Sequence, residues 1–565
     1  TALGAAYELL RTIEHRVQMI DDRQTHVLPA GPALDGVARL HGLVDGAALL
    51  DLLRPHVEAT GAIYDALDSE EGEQLSRDRA LLGQRLAGAG FANPDESAEM
   101  IERWRGGAYP ALRSPAAREA LEAVLPGLID ALGAAPDPHG AIVKLDLMLS
   151  RLPSAINFFR LIEARPPLAR LLGAILSHAP TLADALARRP ALFDGLVDAT
   201  ALDPVGDVAA LIAEMGERSD YQARLDHVRR LVGEKRFALG VQIVAGVSDP
   251  LDVSAGYARV AEAAIGVLAD ATIAEFEQAH GRVPGSELVI LALGRLGGGA
   301  LTHASDLDLI YVFTGDHMAE SDGVKPIGAV HYYNRLAQRI TVALSVATAS
   351  GPLYEIDTRL RPSGTQGPLS VSLDGFARYQ RESAWAWEHM ALTRARCVFG
   401  ASAARAATQA VIDDVLAGNR PARNVAADAT AMRAEMAAHK PPKGPLDAKL
   451  LPGGLVDLEF AVHVTQLTRH AGFDPHLRRA IDLLVTGGLA PPAMTAAHDV
   501  LTRLLVTLRL VAPDAEPPGD ATRALIARAL EMEDWPAVMA SLEVTRYAVT
   551  AYLAQVTQET SDGEC

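Results

Sequence analysis

Cysteine is almost absent. The 565 residues contain two, Cys397 and Cys565, too few for a disulfide framework and without the spacing of a zinc site. That scarcity fits a reducing compartment, the cytoplasm. Aromatic residues make up only 5 % of the chain. Basic residues are outnumbered: 52 Lys and Arg face 71 Asp and Glu, a net charge of −19. A chain this acidic has no general attraction for nucleic acid, although a local site on it can still be positive. No apolar run is long enough, and free enough of charge, to cross a bilayer, so no membrane contact is expected.

What is present points to helix. Ala and Leu dominate a composition that is 49 % hydrophobic. The length exceeds one compact core, so three or four domains are expected. The sequence opens at Thr1 within a helical pattern and reads as a piece of a longer protein. Apolar residues at helical spacing continue to about Trp104, with Pro29 closing the first helix. "RGGAYPALRSP" reads as a linker, and helices resume from about Ala116. After "VLADATIAEFEQAHG" the texture changes. "ELVILAL", "LDLIYVF" and "LYEIDTRL" are short, apolar and bounded by turn residues, the mark of strands. "GFARYQRESAWAWEHMALTRARCVFG" reads as a helix of several turns, "KPPKGPLDAKLLPGG" as a loop, and the remainder as helix. The first helix and "HDVLTRLLVTLRLVAPDAEPPG" share apolar spacing, which fits an internal repeat or two unrelated amphipathic helices.

The chemistry concentrates in "VILALGRLGGGALTHASDLDLIYVFT". Side chains at i and i+2 of a strand point the same way, so Asp306 and Asp308 share a face while Leu307 and Leu309 turn to the core. Two close carboxylates resist joint ionisation unless a counter-charge is near. A hard divalent cation such as Mg²⁺ supplies one. Asp357, on another expected strand, offers a third carboxylate, and three on adjacent strands suit a two-metal site. Taken alone, such a pair is more often a strand opening with solvated acids. The glycines shift that balance. Gly294, Gly297 and Gly298 lack Cβ atoms, so the backbone there can approach a phosphate, and Ser305 can donate to a phosphate or cap the turn. The spacing is neither the dinucleotide nor the Walker fingerprint.

These residues carry a resemblance. "LGRLGGGALTHASDLDLIYVF" resembles the signature of DNA polymerase β-like nucleotidyltransferases. With "YEIDTRLRPSGTQGPLSVS", "WAWEHMALTRARCVFG" and "DAKLLPGGLVDLEFAVHVTQL" it is similar to the glutamine synthetase adenylyltransferase family, whose members are bifunctional. The chain departs from that family's usual Gly at Ala292, Lys at Arg295 and Gln at Met390. The resemblance implies a mostly α protein with an embedded α+β nucleotidyltransferase domain, a small mixed sheet of the polymerase β kind, followed by a helical bundle. It also implies a division: 1–110 as the helical tail of an N-terminal catalytic half, 111–199 as a helical regulatory region, 200–424 as the catalytic domain and 425–565 as the C-terminal helical domain. One Ser-Asp-x-Asp block in the "RLRPSG" context resembles the adenylylating copy, which transfers AMP from ATP to a tyrosine of glutamine synthetase and releases pyrophosphate. Glutamine synthetase is then the protein substrate, with PII signal protein and glutamine as effectors.

By the same resemblance Asp306, Asp308 and Asp357 are catalytic and bind Mg²⁺, and Asp357 helps to deprotonate the acceptor hydroxyl. Gly294, Gly297, Gly298, Ser305, Arg359, Arg361 and Lys449 are the nucleotide-binding candidates. Arg359 and Arg361 alternate with Leu360 and are expected on Asp357's face. Trp385 and His389 are expected to pack in the core rather than stack on adenine. Asp457 and Glu459 read as helix-start acids favoured by the dipole, His303 as a histidine that is not a ligand, and Cys397 as buried and inert. Two rival readings are a nucleotidyltransferase of this fold with another acceptor, and a helical regulatory scaffold whose nucleotide site only senses.

Overall fold

The computed structural model describes residues 2–21, 27–68, 75–135, 137–198, 200–217, 220–348, 350–418 and 422–562. Cys565 and Asp22 to His26 lie outside them. Helices dominate, and one small sheet interrupts them between residues 288 and 399. The mostly α architecture with an embedded α+β unit and a helical C-terminus is as the sequence indicates.

Helices Ala2–Asp21, Pro32–Leu40 and Gly46–Asp68 pack on one another. Ile13, Val17, Val37, Ala38, Leu49 and Leu53 form a cluster of their own there. From Leu75 onward the buried side chains join a second, continuous core that reaches Val556. The stretch expected to be a linker is part of it. Ala111 and Leu112 are buried in a single 3₁₀ turn, Pro110–Leu112. The Tyr109 hydroxyl beside them donates to Asp146 at 2.8 Å. Gly and Pro mark a corner here, and the apolar pair pins it down.

The sheet has five strands: β1 Leu288–Ala292, β2 Leu307–Phe313, β3 Ile356–Asp357, β4 Ser370–Ser372 and β5 Arg396–Phe399. β1 runs antiparallel to β2 and β5, whereas β2 runs parallel to β3 and β4. The sheet is therefore mixed. Every residue of β1 and all of β2 except Asp308 are buried, which explains why these strands read as continuous apolar runs.

Two expected elements differ. "LYEIDTRL" supplies only a two-residue strand, because Arg361 and Gly364 close a tight turn in which Ser363 (φ 62°) and Gly364 (φ 54°) are left-handed. The stretch from Gly375 to Gly400 is not one helix. Helix Leu373–Glu382 ends at Ser383, helix Ala386–Leu392 follows, and the chain then extends into β5 to pair with β1. Edge pairing on a buried strand outweighs helical spacing here.

The long helix Pro250–His280 packs against helix Tyr221–Ala245, helix Ala329–Ser345, β5 and helix Ala493–Val511. Its many Ala and Gly residues allow this close approach, and Asp249 begins it. The Asp249 carboxylate accepts from Leu251 N at 2.9 Å and takes a forked pair from Arg503, at 3.0 and 2.6 Å. Burial would raise its pKa, but Arg503 and the Leu251 amide together hold the carboxyl below its ordinary 3.8. Asp249→Ala should lower the unfolding temperature. The lost cap alone removes about 1 kcal/mol, and Arg503 keeps one ion pair among the described residues, with Glu531. Because the folded carboxyl titrates low, this contribution is complete above pH 3.8 and declines as the pH falls through the folded value. The difference between wild type and variant should be full at neutral pH and shrink in acid, as read by thermal melts across that range.

Candidate functional site

β1 leads into a four-residue helical turn, Gly294–Gly297, and the chain returns through "LTHASD" to β2. Leu293 N donates to Asp308 O at 3.0 Å and Leu307 N donates to Glu355 O at 2.9 Å. β2 pairs with β3 in parallel with Leu307 opposite Ile356 and Asp308 opposite Asp357. Neighbouring strands lie about 4.8 Å apart, so these two carboxylates stand side by side. Asp306 sits just before β2 and is exposed, Asp308 is partly buried, and Leu307 and Leu309 are fully buried. The alternation expected for the pair is observed.

Burial, then Asp306 and Asp357, pushes the Asp308 carboxyl up to about 6, against the opposing pull of Lys449 and Arg394. Asp357 moves the other way. The Arg359 guanidinium takes both of its oxygens, and the Arg359 amide donates to it at 2.8 Å, so its carboxyl titrates below the ordinary range. Three oxygen-donor carboxylates with one of them forced towards neutrality form a donor set that suits a hard divalent cation. Among the described residues no three such side chains converge as a finished metal cage. Arg359 holds the Asp357 carboxylate that a metal would need.

The glycines are explained by what lies against them. A Cβ on Gly294 (φ 54°) would fall 2.2 Å from Asp308 Oδ2. One on Gly297 would meet Arg394 O at 2.0 Å, and one on Gly298 would meet Arg394 Nη2 at 2.5 Å. The turn is thus pressed onto Asp308 and onto Arg394. Ser305 Oγ accepts from Thr302 N at 2.9 Å and lies 2.9 Å from Thr302 Oγ1, so its hydroxyl caps the turn.

Arg361 differs from expectation. The chain turns after Thr358, and Arg361 donates to Thr358 O at 2.8 Å and to Gly367 O at 3.3 Å. It supports the turn rather than sharing Asp357's face. Trp385 also differs: it precedes helix Ala386–Leu392, its amide donates to Glu388 at 2.9 Å, and its ring is 63 % exposed. His389 is buried as expected, with its ring on Gln380 O at 2.8 Å. Asp457 is buried, pairs with Arg433 and accepts from Gly453 N at 2.6 Å, a structural role. His303 packs edge-on to Tyr257, and burial with Arg236 holds its imidazole neutral, at about 3. Cys397 is partly buried, and burial pushes its thiol up to about 11.

Of the further cations around the site, Lys449 is the one named from the resemblance, and Arg295, Arg394 and Arg509 are not. Arg394, from the segment before β5, donates to Glu459 at 2.6 Å with its side chain 7 % exposed. Arg295 and Lys449 stand close enough to act on Glu459, and Arg509 stands close enough to act on both of them. Burial, with Arg394 and Arg509, lowers the Arg295 guanidinium to about 10, and burial with Arg295 also lowers Lys449. Burial favours a neutral Glu459, yet Arg394, Arg295 and Lys449 hold its carboxyl low. The Nε atoms of Arg295 and Arg394 are buried without partners among the described residues. Asp447 accepts from Lys449 N and Leu450 N, both at 3.0 Å, and so fixes the loop that carries Lys449. Four cations cluster beside Asp308, three of them acting on Glu459, an arrangement that attracts a multivalent anion. Arg295 and Arg394 sit inside the quoted motifs. Arg509 lies in a plain helical tail and carries no local signal.

Comparison with known proteins adds the lineage. Residues 169–411 match the family model described as glutamate-ammonia ligase adenylyltransferase, and residues 1–67 match one described as GlnD PII-uridylyltransferase. Three similar proteins are each named bifunctional glutamine synthetase adenylyltransferase/adenylyl-removing enzyme. That of Mesorhizobium japonicum is 36 % identical over 97 % of this chain and 58 % of the relative. That of Brucella melitensis is 36 % identical over 94 % and 57 %, and that of Xanthobacter autotrophicus 35 % over 99 % and 60 %. The chain therefore spans under two thirds of the length of these relatives.

The cation cluster yields a prediction. Glu459→Gln removes the one carboxylate among four cations and should lower the unfolding temperature, because breaking a buried pair costs up to about 3–5 kcal/mol. Inorganic tripolyphosphate should then raise the melting temperature of the variant by more than it raises that of wild type. Equal shifts in thermal melts would separate the anion from these cations.

Proposed function

We propose, from the match of residues 169–411 to the glutamate-ammonia ligase adenylyltransferase family model, that this chain transfers AMP from ATP to a tyrosine of glutamine synthetase, releasing pyrophosphate. The observation that carries the reading is the registered pair Asp308 and Asp357, with Asp306 before it, beside the Arg295, Arg394, Lys449 and Arg509 cluster. Carboxylates for metal and cations for polyphosphate are the two halves of a phosphoryl-transfer site.

In this reading Asp306, Asp308 and Asp357 would hold Mg²⁺, which when bound neutralises phosphate charge. The four cations bind the β- and γ-phosphates and stabilise the leaving pyrophosphate. The turn Gly294 to Gly298 lets the backbone approach the same phosphates, with Ser305 capping the return to β2. Arg361 keeps the turn that carries Asp357. The acceptor oxygen attacks the α-phosphorus in line, and the bond to the β-phosphate oxygen breaks. The tyrosine proton passes to Asp357, whose low-titrating carboxylate is ionised and able to take it. Arg359 orients that carboxylate. PII signal protein and glutamine act as effectors, the setting is the cytoplasm, and the helices of residues 111–199 form the regulatory portion.

Asp308→Asn should reduce AMP transfer to glutamine synthetase roughly a thousandfold, several kcal/mol of transition-state stabilisation. Circular dichroism should be unchanged. Label from α-labelled ATP appearing on the acceptor at near wild-type rate would defeat the assignment. A second expectation follows from the single Ser-Asp-x-Asp block in this sequence. Phosphate-dependent release of ADP from adenylylated glutamine synthetase should be negligible. Any that is observed should vanish in Asp308→Asn, since no other carboxylate triad of this pattern is present in the chain.

A further inference from the structure

A cavity of about 810 Å³ opens beside the triad and is lined by none of the four polyphosphate cations. Its walls come from four places. Arg188 and Arg189 stand at the end of helix Pro180–Arg188, and Arg229 and Arg236 project from helix Tyr221–Ala245. His303 to Asp306 form the lead into β2, and Ser350 to Glu355 form the lead into β3. Four arginines thus face two carboxylates, Asp306 and Glu355, in a chain whose net charge is −19.

Three of those arginines form no ion pair among the described residues, although the Asp226 charge acts on Arg229. Arg189 pairs with Glu234 at 3.1 Å. Arg229 instead donates to the carbonyls of Leu225, Ala343 and Val346, and its Nε is buried without a partner among the described residues. Arg236 donates to Leu353 O at 3.1 Å and to His303 O, joining the two lead-in segments. Its guanidinium lies 5.2 Å from the centre of the Tyr354 ring. Arg188 is exposed and forms no ion pair among the described residues. Tyr354 lines the same cavity, is 7 % exposed, and its hydroxyl has no partner among the described residues. Guanidinium groups outside ion pairs, a buried phenol without a partner among the described residues and an opening onto Asp306 describe a site built for an anionic, hydrogen-bonding occupant.

We propose that this cavity is the acceptor subsite and receives an acidic segment of the protein being modified, with its carboxylates on Arg188 and Arg236 and its target hydroxyl led past Asp306 towards Asp357. The inference rests on the AMP-transfer reading above. The volume supports a peptide segment: it lies near the top of the ~300–1,000 Å³ range of ligand pockets, more than one small carboxylate fills. Location supports it too. The occupant touches the leads to both Asp306 and Asp357, whereas the polyphosphate cations lie elsewhere, so donor and acceptor reach the triad along different walls.

The test uses the full chain and Arg188→Glu, an exposed change with no partner to lose. With labelled ATP and glutamine synthetase at low ionic strength, the KM for the protein acceptor should rise at least tenfold. The KM for ATP should hold, and Arg188→Lys should restore most of the loss. Added salt should weaken wild type towards the variant. An unchanged acceptor KM, or a rise confined to ATP, overturns the proposal while leaving AMP transfer intact. Absence of transfer by wild type would instead count against the AMP-transfer reading. Binding then decides the subsite alone, through the fluorescence anisotropy of a labelled peptide with one tyrosine flanked by glutamates. Wild type should bind it at least tenfold more tightly than Arg188→Glu. Equal binding by both, or glutarate binding as tightly as the peptide, overturns the assignment to a protein segment.

Discussion

Repulsion among three carboxylates governs this site. Asp308 cannot leave its strand without unpairing β2 from β1 and β3, and Asp357 is set opposite it by register. Asp306 adds a third charge where the strand begins. Burial, and after it that repulsion, pushes Asp308 towards protonation. The surroundings answer with fixed positive charge: Arg359 on Asp357, and Arg394 and Lys449 acting on Asp308. Each of these cations must in turn be held, which is why Glu459 and Asp447 sit where they do. The glycine turn follows from the same demand. Only residues without Cβ let the loop press against Asp308 Oδ2 and the Arg394 guanidinium together.

The parts legible in the sequence are those with a short period. Asp306 and Asp308 at i and i+2 flanked by buried leucines, the apolar β1, and a third carboxylate on a nearby strand follow from the alternation of a strand. The turn after Asp357 was not legible, since left-handed Ser363 and the carbonyl bonds of Arg361 depend on local closure rather than pattern. Nor was the break of the Gly375–Gly400 stretch. Its helical spacing is real on either side of Ser383, but β1 needs an edge partner, and Arg396–Phe399 supply it. Trp385 misled for a related reason, because an aromatic at the start of a helix is held by its backbone amide on Glu388 and not by burial. Lys449 was legible by resemblance, but its companions were hidden for a different cause. Arg295, Arg394, Lys449 and Arg509 are separated by up to about two hundred residues, and only folding gathers them beside Glu459 and one another.

That separation says how the C-terminal helices matter. Lys449 belongs to the loop before helix Leu455–Arg469, Glu459 lies on that helix, and Arg509 lies on helix Ala493–Val511. The sheet carries the carboxylates, and the following helices carry half of the positive charge. The two are fastened at a distance from the site by Asp249 and Arg503, a forked pair that also starts the long helix Pro250–His280. A forked guanidinium–carboxylate pair restricts orientation as well as distance. It therefore fixes the angle at which helix Ala493–Val511, six residues further on at Arg509, presents its charge.

The helices before the sheet make the complementary contribution. Arg236 is a spacer of defined shape: one guanidinium ties His303 O to Leu353 O, and so ties the segment that delivers Asp306 to the segment that delivers Asp357. Two strands paired by only two residues have little else to keep their lead-in segments in register. Anything that draws on the Arg236 guanidinium changes the hold on the two segments at once. A helix of the upstream region thus bears directly on the spacing of the carboxylates, and needs no relay through the core to do so.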